Sequence, residues 1–171
     1  MNSRVRSAAI IFFVVILDRI TKIYIQHNFF PWDMKPVISG FFNIVHAENP
    51  GAAFGFLSES HSEWRSLFLV GVSLAVMAII GSMLVRPSVK KSPMLEIALA
   101  LVFGGAAGNM YDRLVRGTVT DFLQFFFGSY EFPSFNAADS AITIGACLLL
   151  LDLWKTRGKP KEEELAADEH R

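Results

Sequence analysis

Four long apolar stretches set the pattern of this chain, at 7–25, 66–85, 94–113 and 137–154. A helix needs about 20 mainly apolar residues to cross the hydrocarbon core of a bilayer. Each stretch approaches that length, so the pattern predicts four membrane-spanning helices rather than a soluble core. The second is the purest: it has no ionisable residue from Ser66 to Val85, and small residues such as Gly71, Ala75 and Gly81 permit close packing. The third opens at Ser92-Pro93, serine suiting an N-cap and proline the first helical turn. Between the first two stretches, Pro31, Pro36 and Gly40 break up a long polar connection. Its aromatic and β-branched run at 41–45 reads as a short strand, and Pro50-Gly51 as a turn. A small sheet on the membrane surface, able to take up an extended peptide by strand addition, fits this connection. A plain lipid-facing loop fits it too. The connection at 114–136 is crowded with aromatics from Phe122 to Phe135. Such a band belongs at a membrane interface, either as an anchor or as a flap of loop or helix bordering a lipidic substrate.

Charge orients this frame. Basic residues gather before the first stretch (Arg4, Arg6), between the second and third (Arg86, Lys90, Lys91) and after the fourth (Lys155, Arg157, Lys159, Lys161). The other two connections hold little beyond Lys35, Arg65 and Arg116. By the positive-inside rule both termini are cytoplasmic, and the connections at about 26–65 and 114–136 face the opposite side. The N-terminus has the basic and apolar regions of a secretory signal, but Asp18-Arg19 stands where small residues should end one. It reads as a retained anchor. Residues 1–155 then form one membrane domain, and the polar, acidic tail at 156–171 is expected to be disordered.

Across 171 residues the chain is 52% hydrophobic and 19% charged with zero net charge, which lacks the basic footprint of a nucleic-acid partner. The single cysteine, Cys147, rules out an internal disulfide, and no Cys/His cluster has metal-ligand spacing. His27, His46, His61 and His170 are scattered and read as ordinary solvated or interfacial side chains. No metal or cofactor is expected.

Against this apolar background the ionisable residues stand out, because charge within a membrane segment costs about 2.5–3.5 kcal/mol on insertion scales. Asp18 and Lys22 are four apart and share a helix face, as an interfacial ion pair or part of a site. Asn109, Asp112 and Arg113 share a face of the third helix, Asp112 expected to pair with Arg113 or a neighbour. Gly104, Gly105 and Gly108 below them lower helix propensity by roughly 1 kcal/mol each, which close helix contact or close approach of a substrate would offset. Asp121 follows the β-prone Thr118-Val119-Thr120, and Asp139 lies in the first turn of the fourth helix with Asn136 as a plausible N-cap. If the third and fourth helices are neighbours, both carboxylates reach one point. Two carboxylates in close proximity share a proton: the ionised one can activate water while the neutral one hydrogen-bonds a scissile carbonyl. The plain alternative is a turn cap at Asp121 and a helix-dipole anion at Asp139.

These residues fall in ordered blocks: Asp18-x-x-Thr-Lys22, Asn49-x-Gly-Ala-Ala-Phe54, Gly104-Gly-Ala-x-Gly-Asn-x-x-Asp-Arg113, Gly117-x-Val-x-Asp-Phe122 and Phe132-Pro-x-Phe-Asn-x-Ala-Asp139. In this order the chain resembles the bacterial lipoprotein signal peptidases, or signal peptidase II, a family of membrane-embedded aspartyl proteases. The resemblance implies an all-α membrane fold with four transmembrane helices, a small extracytoplasmic sheet and an aromatic interfacial element. It implies Asp121 and Asp139 as the catalytic pair, with Asp18, Lys22, Asn49, Gly51, Gly105, Asn109, Arg113, Asn136 and Ala138 framing or supporting the substrate pocket. The implied partners are lipid-modified prolipoproteins, cut just before the lipid-modified cysteine, and the membrane lipids. The enzyme is expected to act as a monomer in the inner membrane, with its site near the outer face. A proton-coupled carrier or a lipid-binding scaffold are the competing classes, though no inverted repeat favours a carrier.

Overall fold

The computed structural model describes residues 3–51, 62–86 and 92–157. The expected disordered tail lies outside these residues apart from its first positions. Among the described residues there are four helices and a four-stranded antiparallel sheet: α1 (Ser3–Asn28), β1 (Met34–Ile38), β2 (Phe42–Asn49), α2 (Ser62–Leu84), α3 (Pro93–Arg116), β3 (Val119–Phe127), β4 (Tyr130–Phe135) and α4 (Ala137–Arg157). Three helices are long and apolar enough to cross a membrane, over Ser66–Leu84, Pro93–Arg116 and Ala137–Lys155. α1 is not among them, because Asp18, Arg19 and Lys22 interrupt its apolar run. The chain is a mostly helical membrane protein.

Polarity is distributed in the reverse of a soluble fold. Large apolar side chains such as Phe12, Phe13, Phe68, Leu114, Leu150 and Trp154 point outward, while Asp18, Lys22, Glu96, Asp112, Thr120 and Asn136 have no more than a trace of exposed surface. Lipid solvates the first group; only partners inside the bundle can satisfy the second.

α3 is the hub, packed on α4, α1 and α2. Its glycines explain how. A Cβ at Gly104 would sit 2.9 Å from Val14 Cβ of α1, one at Gly105 2.4 Å from the Ala138 carbonyl oxygen of α4, and one at Gly108 2.6 Å from Asp18 Oδ2. Gly145 returns the contact from α4, where a Cβ would meet the Ala98 carbonyl oxygen at 2.7 Å. Of the two uses open to these glycines, helix contact accounts for Gly104 and Gly105, and Gly108 makes room for a buried carboxylate. The N-cap at Ser92 forms as its sequence suggests, with Oγ accepting from Leu95 N at 3.3 Å. The helix runs to Arg116 and stops at Gly117, whose φ of 77° only glycine adopts readily.

The sheet, in order β1-β2-β3-β4, takes in both long connections. The expected strand at 41–45 is realised as the longer β2. The aromatic stretch, expected as a loop or helix, is instead a hairpin: β3 and β4 pair through Phe127↔Tyr130 around Gly128-Ser129, with Gly128 at φ 65°. A Gly-Ser pair between aromatic runs is a hairpin signal. Phe125 is the centre of the aromatic face, stacked on Phe42 and Phe135 at centroid separations of 4.7 and 5.9 Å. Cross-strand aromatic pairs, rather than interfacial anchoring alone, account for this run of phenylalanines.

Candidate active site

Asp121 and Asp139 reach one cavity from different kinds of element. β2 and β3 pair antiparallel with Ala47 opposite Asp121 and Asn49 opposite Val119, so Asn49 and Asp121 share a face of the sheet. Asn49 Nδ2 donates to Asp121 Oδ2 at 2.9 Å, and its Oδ1 accepts from Gly51 N at 2.9 Å. Asp139 comes from the first turn of α4, where it forms a reciprocal cap with Asn136. Asp139 N donates to Asn136 Oδ1 at 3.0 Å, and Asn136 N donates to Asp139 Oδ2 at 3.2 Å.

Two amides join the carboxylates. Asn136 Nδ2 donates to Asp121 Oδ1 at 2.7 Å and to Asn109 Oδ1 at 3.2 Å. Asn109 Nδ2 donates to Asp139 Oδ1 at 2.7 Å. One side of each carboxylate is thereby fixed, and both line a cavity of about 1030 Å³ with Arg113, the strand β4 and the first turns of α4. Burial, and then the nearby charge of Asp139, push the Asp121 carboxyl up to about 7, against the bonds from Asn49 and Asn136 and the charge of Lys22. At neutral pH Asp121 is therefore poised between its acid and its base form.

Beneath the pair lies a buried polar layer. Lys22, fully buried, donates two hydrogen bonds and pairs with a further carboxylate. Its Nζ lies 2.9 Å from Asp18 Oδ2, 2.9 Å from Asn109 Oδ1 and 2.7 Å from Asp112 Oδ2, the last an ion pair whose angle falls short of a hydrogen bond. Asp18 Oδ1 accepts from Ala138 N at 3.1 Å, so the first turn of α4 is tied to α1 beside Asp139. Arg113 Nη2 donates to the Gly51 carbonyl at 3.2 Å, and its buried Nε has no hydrogen-bond partner among the described residues.

Every residue singled out from the sequence therefore falls in one connected region, Gly105 and Ala138 as a backbone contact and the others through side-chain or main-chain hydrogen bonds. Such a constellation, in a helical membrane frame, invites comparison with known proteins. The family model for signal peptidase (SPase) II matches residues 10–155. The chain belongs to the signal peptidase II family. A lipoprotein signal peptidase of Maridesulfovibrio salexigens is 39% identical over 157 residues, which are 92% of this chain and 100% of the relative. One from Solibacter usitatus is 45% identical over 150 residues, 88% of this chain and 89% of the relative. Two solved bacterial membrane enzyme structures share the fold: one at TM-score 0.82 and 34% identity over 92% of both chains, the other at TM-score 0.77 and 30% identity over 86% of this chain and 92% of the other. As a signal peptidase II, this chain is an aspartic peptidase of the membrane, which sets aside the carrier and scaffold readings.

Two readings left open for this signal peptidase II chain are narrowed. Asp18 and Lys22 do not reach toward water at a helix end; both side chains are wholly buried. Asp112 forms its expected structural ion pair with neighbours in space, Arg19 and Lys22 of α1, and not with Arg113. Arg19 also lies 4.7 Å over the Tyr111 ring. Other groups carried no sequence signal. Glu96 is buried at the far end of α3, accepting from Ser7 Oγ at 2.6 Å and paired with Arg6. Glu48 and its ring of donors lie on the face of β2–β3 opposite the carboxylate pair. Both join residues distant in sequence, which no local motif records.

Proposed function

We propose that Asp121 and Asp139 form the catalytic pair of this lipoprotein signal peptidase, and that it removes signal peptides from diacylglyceryl-modified prolipoproteins just before the lipid-modified cysteine. The observation that carries the reading is the Asn136–Asn109 bridge, which fixes one face of each carboxylate and leaves the pair bordering a single cavity. With Asp121 raised to about 7, a substantial share of the molecules at neutral pH carry a proton on Asp121, and the reaction starts from that form. Asp139 takes a proton from a water between the carboxylates, and the hydroxide formed adds to the scissile carbonyl carbon. Asp121 gives its proton to the carbonyl oxygen, producing a tetrahedral diol. The proton on Asp139 passes to the departing amine as the C–N bond breaks, and a diol proton returns to Asp121. No other nucleophile enters. Asn49, Asn109 and Asn136 hold the carboxylates, Lys22 and Asp18 hold Asn109 and the α4 turn, and Arg113 with Gly51 borders the substrate.

In this reading α1 is a fourth crossing whose charges face the bundle, both termini are cytoplasmic, and the sheet lies over the outer leaflet. The exposed apolar side chains of Phe30, Trp32, Met34 and Ile38 suit that interface. The cavity at the outer end of α3 and α4 suits an extended peptide with two acyl chains, and a monomer suffices. The test is cleavage of a purified diacylated prolipoprotein, with the new N-terminus identified by mass. Asp121→Asn and Asp139→Asn should each lose activity by about 10³-fold or more, given typical acid–base contributions of 10²–10⁴. Full turnover by either variant refutes the pair.

A further inference from the structure

Asp121 sits on β3 and Asp139 on α4, which packs on α3, so the joint between α3 and β3 enters their relative geometry. That joint is short: Gly117 caps α3 in the left-handed conformation, Thr118 follows, and β3 begins at Val119. The backbone ladders with β2 and β4 hold the strand itself. A side-chain cross-link from β2 ties it to the joint. Glu48 accepts from Thr118 Oγ1 at 2.6 Å, from Thr120 Oγ1 at 3.2 Å and from Arg116 Nη2 at 3.2 Å, and His46 Nε2 lies 2.9 Å from it. One carboxylate thus holds the last turn of α3, the joint and the first residues of β3. Thr120 Oγ1 also accepts from Gln26 Nε2 of α1 at 2.7 Å, which carries the brace to a third element.

The strand pairing puts this brace directly behind the reacting groups. Glu48 lies opposite Thr120 in the ladder, Asn49 opposite Val119 and Ala47 opposite Asp121. Side chains alternate along a strand, so Glu48, Thr118 and Thr120 share one face while Asn49 and Asp121 share the other. Glu48 is bonded through the chain to Asn49, the donor to Asp121 Oδ2, and grips the residue preceding Asp121 from behind.

Building on the catalytic pair proposed above, we propose that Glu48 is a positioning residue for the peptidase reaction: it sets the register and angle of β3 against α3, and through them the Asn49–Asp121 hydrogen bond. Burial alone would raise the Glu48 carboxyl, but the bonds from Thr118 and His46, the Arg116 charge and Thr120 hold it below its ordinary range. It therefore remains ionised and accepting across the working pH. The charged or titratable groups facing it are His46 and Arg116; those acting on Asp121 are Asp139, Lys22 and Arg113.

The experiment is steady-state cleavage of a synthetic lipopeptide bearing a diacylglyceryl cysteine, by the purified full chain, across pH, with thermal unfolding measured in parallel. Misplacement of a reacting group by about 1 Å loses about 10²-fold. Glu48→Ala should lower kcat by about ten- to a hundredfold with KM within about twofold. The upper midpoint of its pH profile should move above the wild-type value, because a loosened Asn49 bond no longer opposes the rise at Asp121. Glu48→Gln, which keeps one acceptor oxygen, should fall between. If Glu48→Ala cannot be purified folded, Thr118→Val, which removes the shortest bond to Glu48, should give the same shift in smaller measure. A lowered melting temperature with kcat and pH midpoint unchanged overturns the proposal. Asp121→Asn in the same assay separates the two readings. Its full activity overturns the catalytic pair, whereas an inactive Asp121→Asn beside an unshifted Glu48→Ala overturns only the role of Glu48.

Discussion

Lys22 has no exposed side-chain surface and stands between two carboxylates, Asp18 and Asp112. A buried ion pair is weak evidence for stability, but removing one partner is not neutral, because the charges left behind stay buried. Lys22→Met should destabilise the protein by about 3–5 kcal/mol, read as a lowered unfolding midpoint in detergent. Adding Asp112→Asn should recover part of that loss; no recovery would mean that Lys22 acts by packing alone. Asp121 presents the opposite sign problem. Its folded-state carboxyl is raised from 3.8 to about 7, so the contribution of Asp121 to stability is fully present below about 3.8 and is lost as pH rises toward 7. Asp121→Asn cannot ionise, so its melting temperature relative to wild type should climb between pH 4 and 7. A gap that stays flat over that range contradicts the raised carboxyl. For catalysis, the one-proton form of the pair is depleted as pH rises through about 7, so kcat/KM of the free enzyme should fall with an upper midpoint near there.

Among the helices, the glycines of α3 determine how closely its neighbours approach. At Gly105 an added methyl would lie 2.4 Å from the carbonyl oxygen of Ala138, backbone that cannot swing aside. Gly105→Ala should therefore push α4 outward and carry Asp139 with it, losing most activity and about 1–3 kcal/mol of stability, as overpacking does. Gly81 on α2 is the control. Among the described residues a Cβ there meets only Phe103 Cε2 at 3.6 Å, an ordinary contact, so Gly81→Ala should leave cleavage and melting unchanged. Equal damage from both would mean that α3–α4 contact does not govern the site. The hairpin β3–β4 is the element least legible beforehand. Its phenylalanines suit an interface and a strand equally well; Gly128-Ser129 is a local turn signal, and the pairing partners on β2 complete the choice of strand.

For the whole molecule, the arrangement is a bundle with an apolar exterior and a sheet at one end. The orientation proposed for it makes a labelling prediction. In a variant lacking Cys147, Val37→Cys on the exposed strand β1 should react with a membrane-impermeant thiol reagent in spheroplasts. Lys155→Cys at the end of α4 should react only after permeabilisation. The reverse pattern would invert the topology and put the cavity on the cytoplasmic side.

The sequence by itself determined the membrane character, the Ser92 cap of α3 and the identity of the polar residues around the cavity. These are properties of composition and of spacing within one helix or turn, which short-range sterics and the absence of water in lipid impose on any chain with this pattern. It did not determine which small residues make close helix contacts: among the described residues nothing lies within 4 Å of a Cβ at Gly71 of α2, whereas Gly104 and Gly105 of α3 are crowded. Tertiary structure alone decided that Asp121 is presented by a strand and Asp139 by a helix across the Asn136–Asn109 bridge. It also decided that Asp112 turns to α1, that Glu96 pairs with Arg6 across the bundle, and that Glu48 braces the joint behind Asp121. Each of those contacts joins segments far apart along the chain. Their geometry comes from strand pairing and helix packing, which local pattern does not encode.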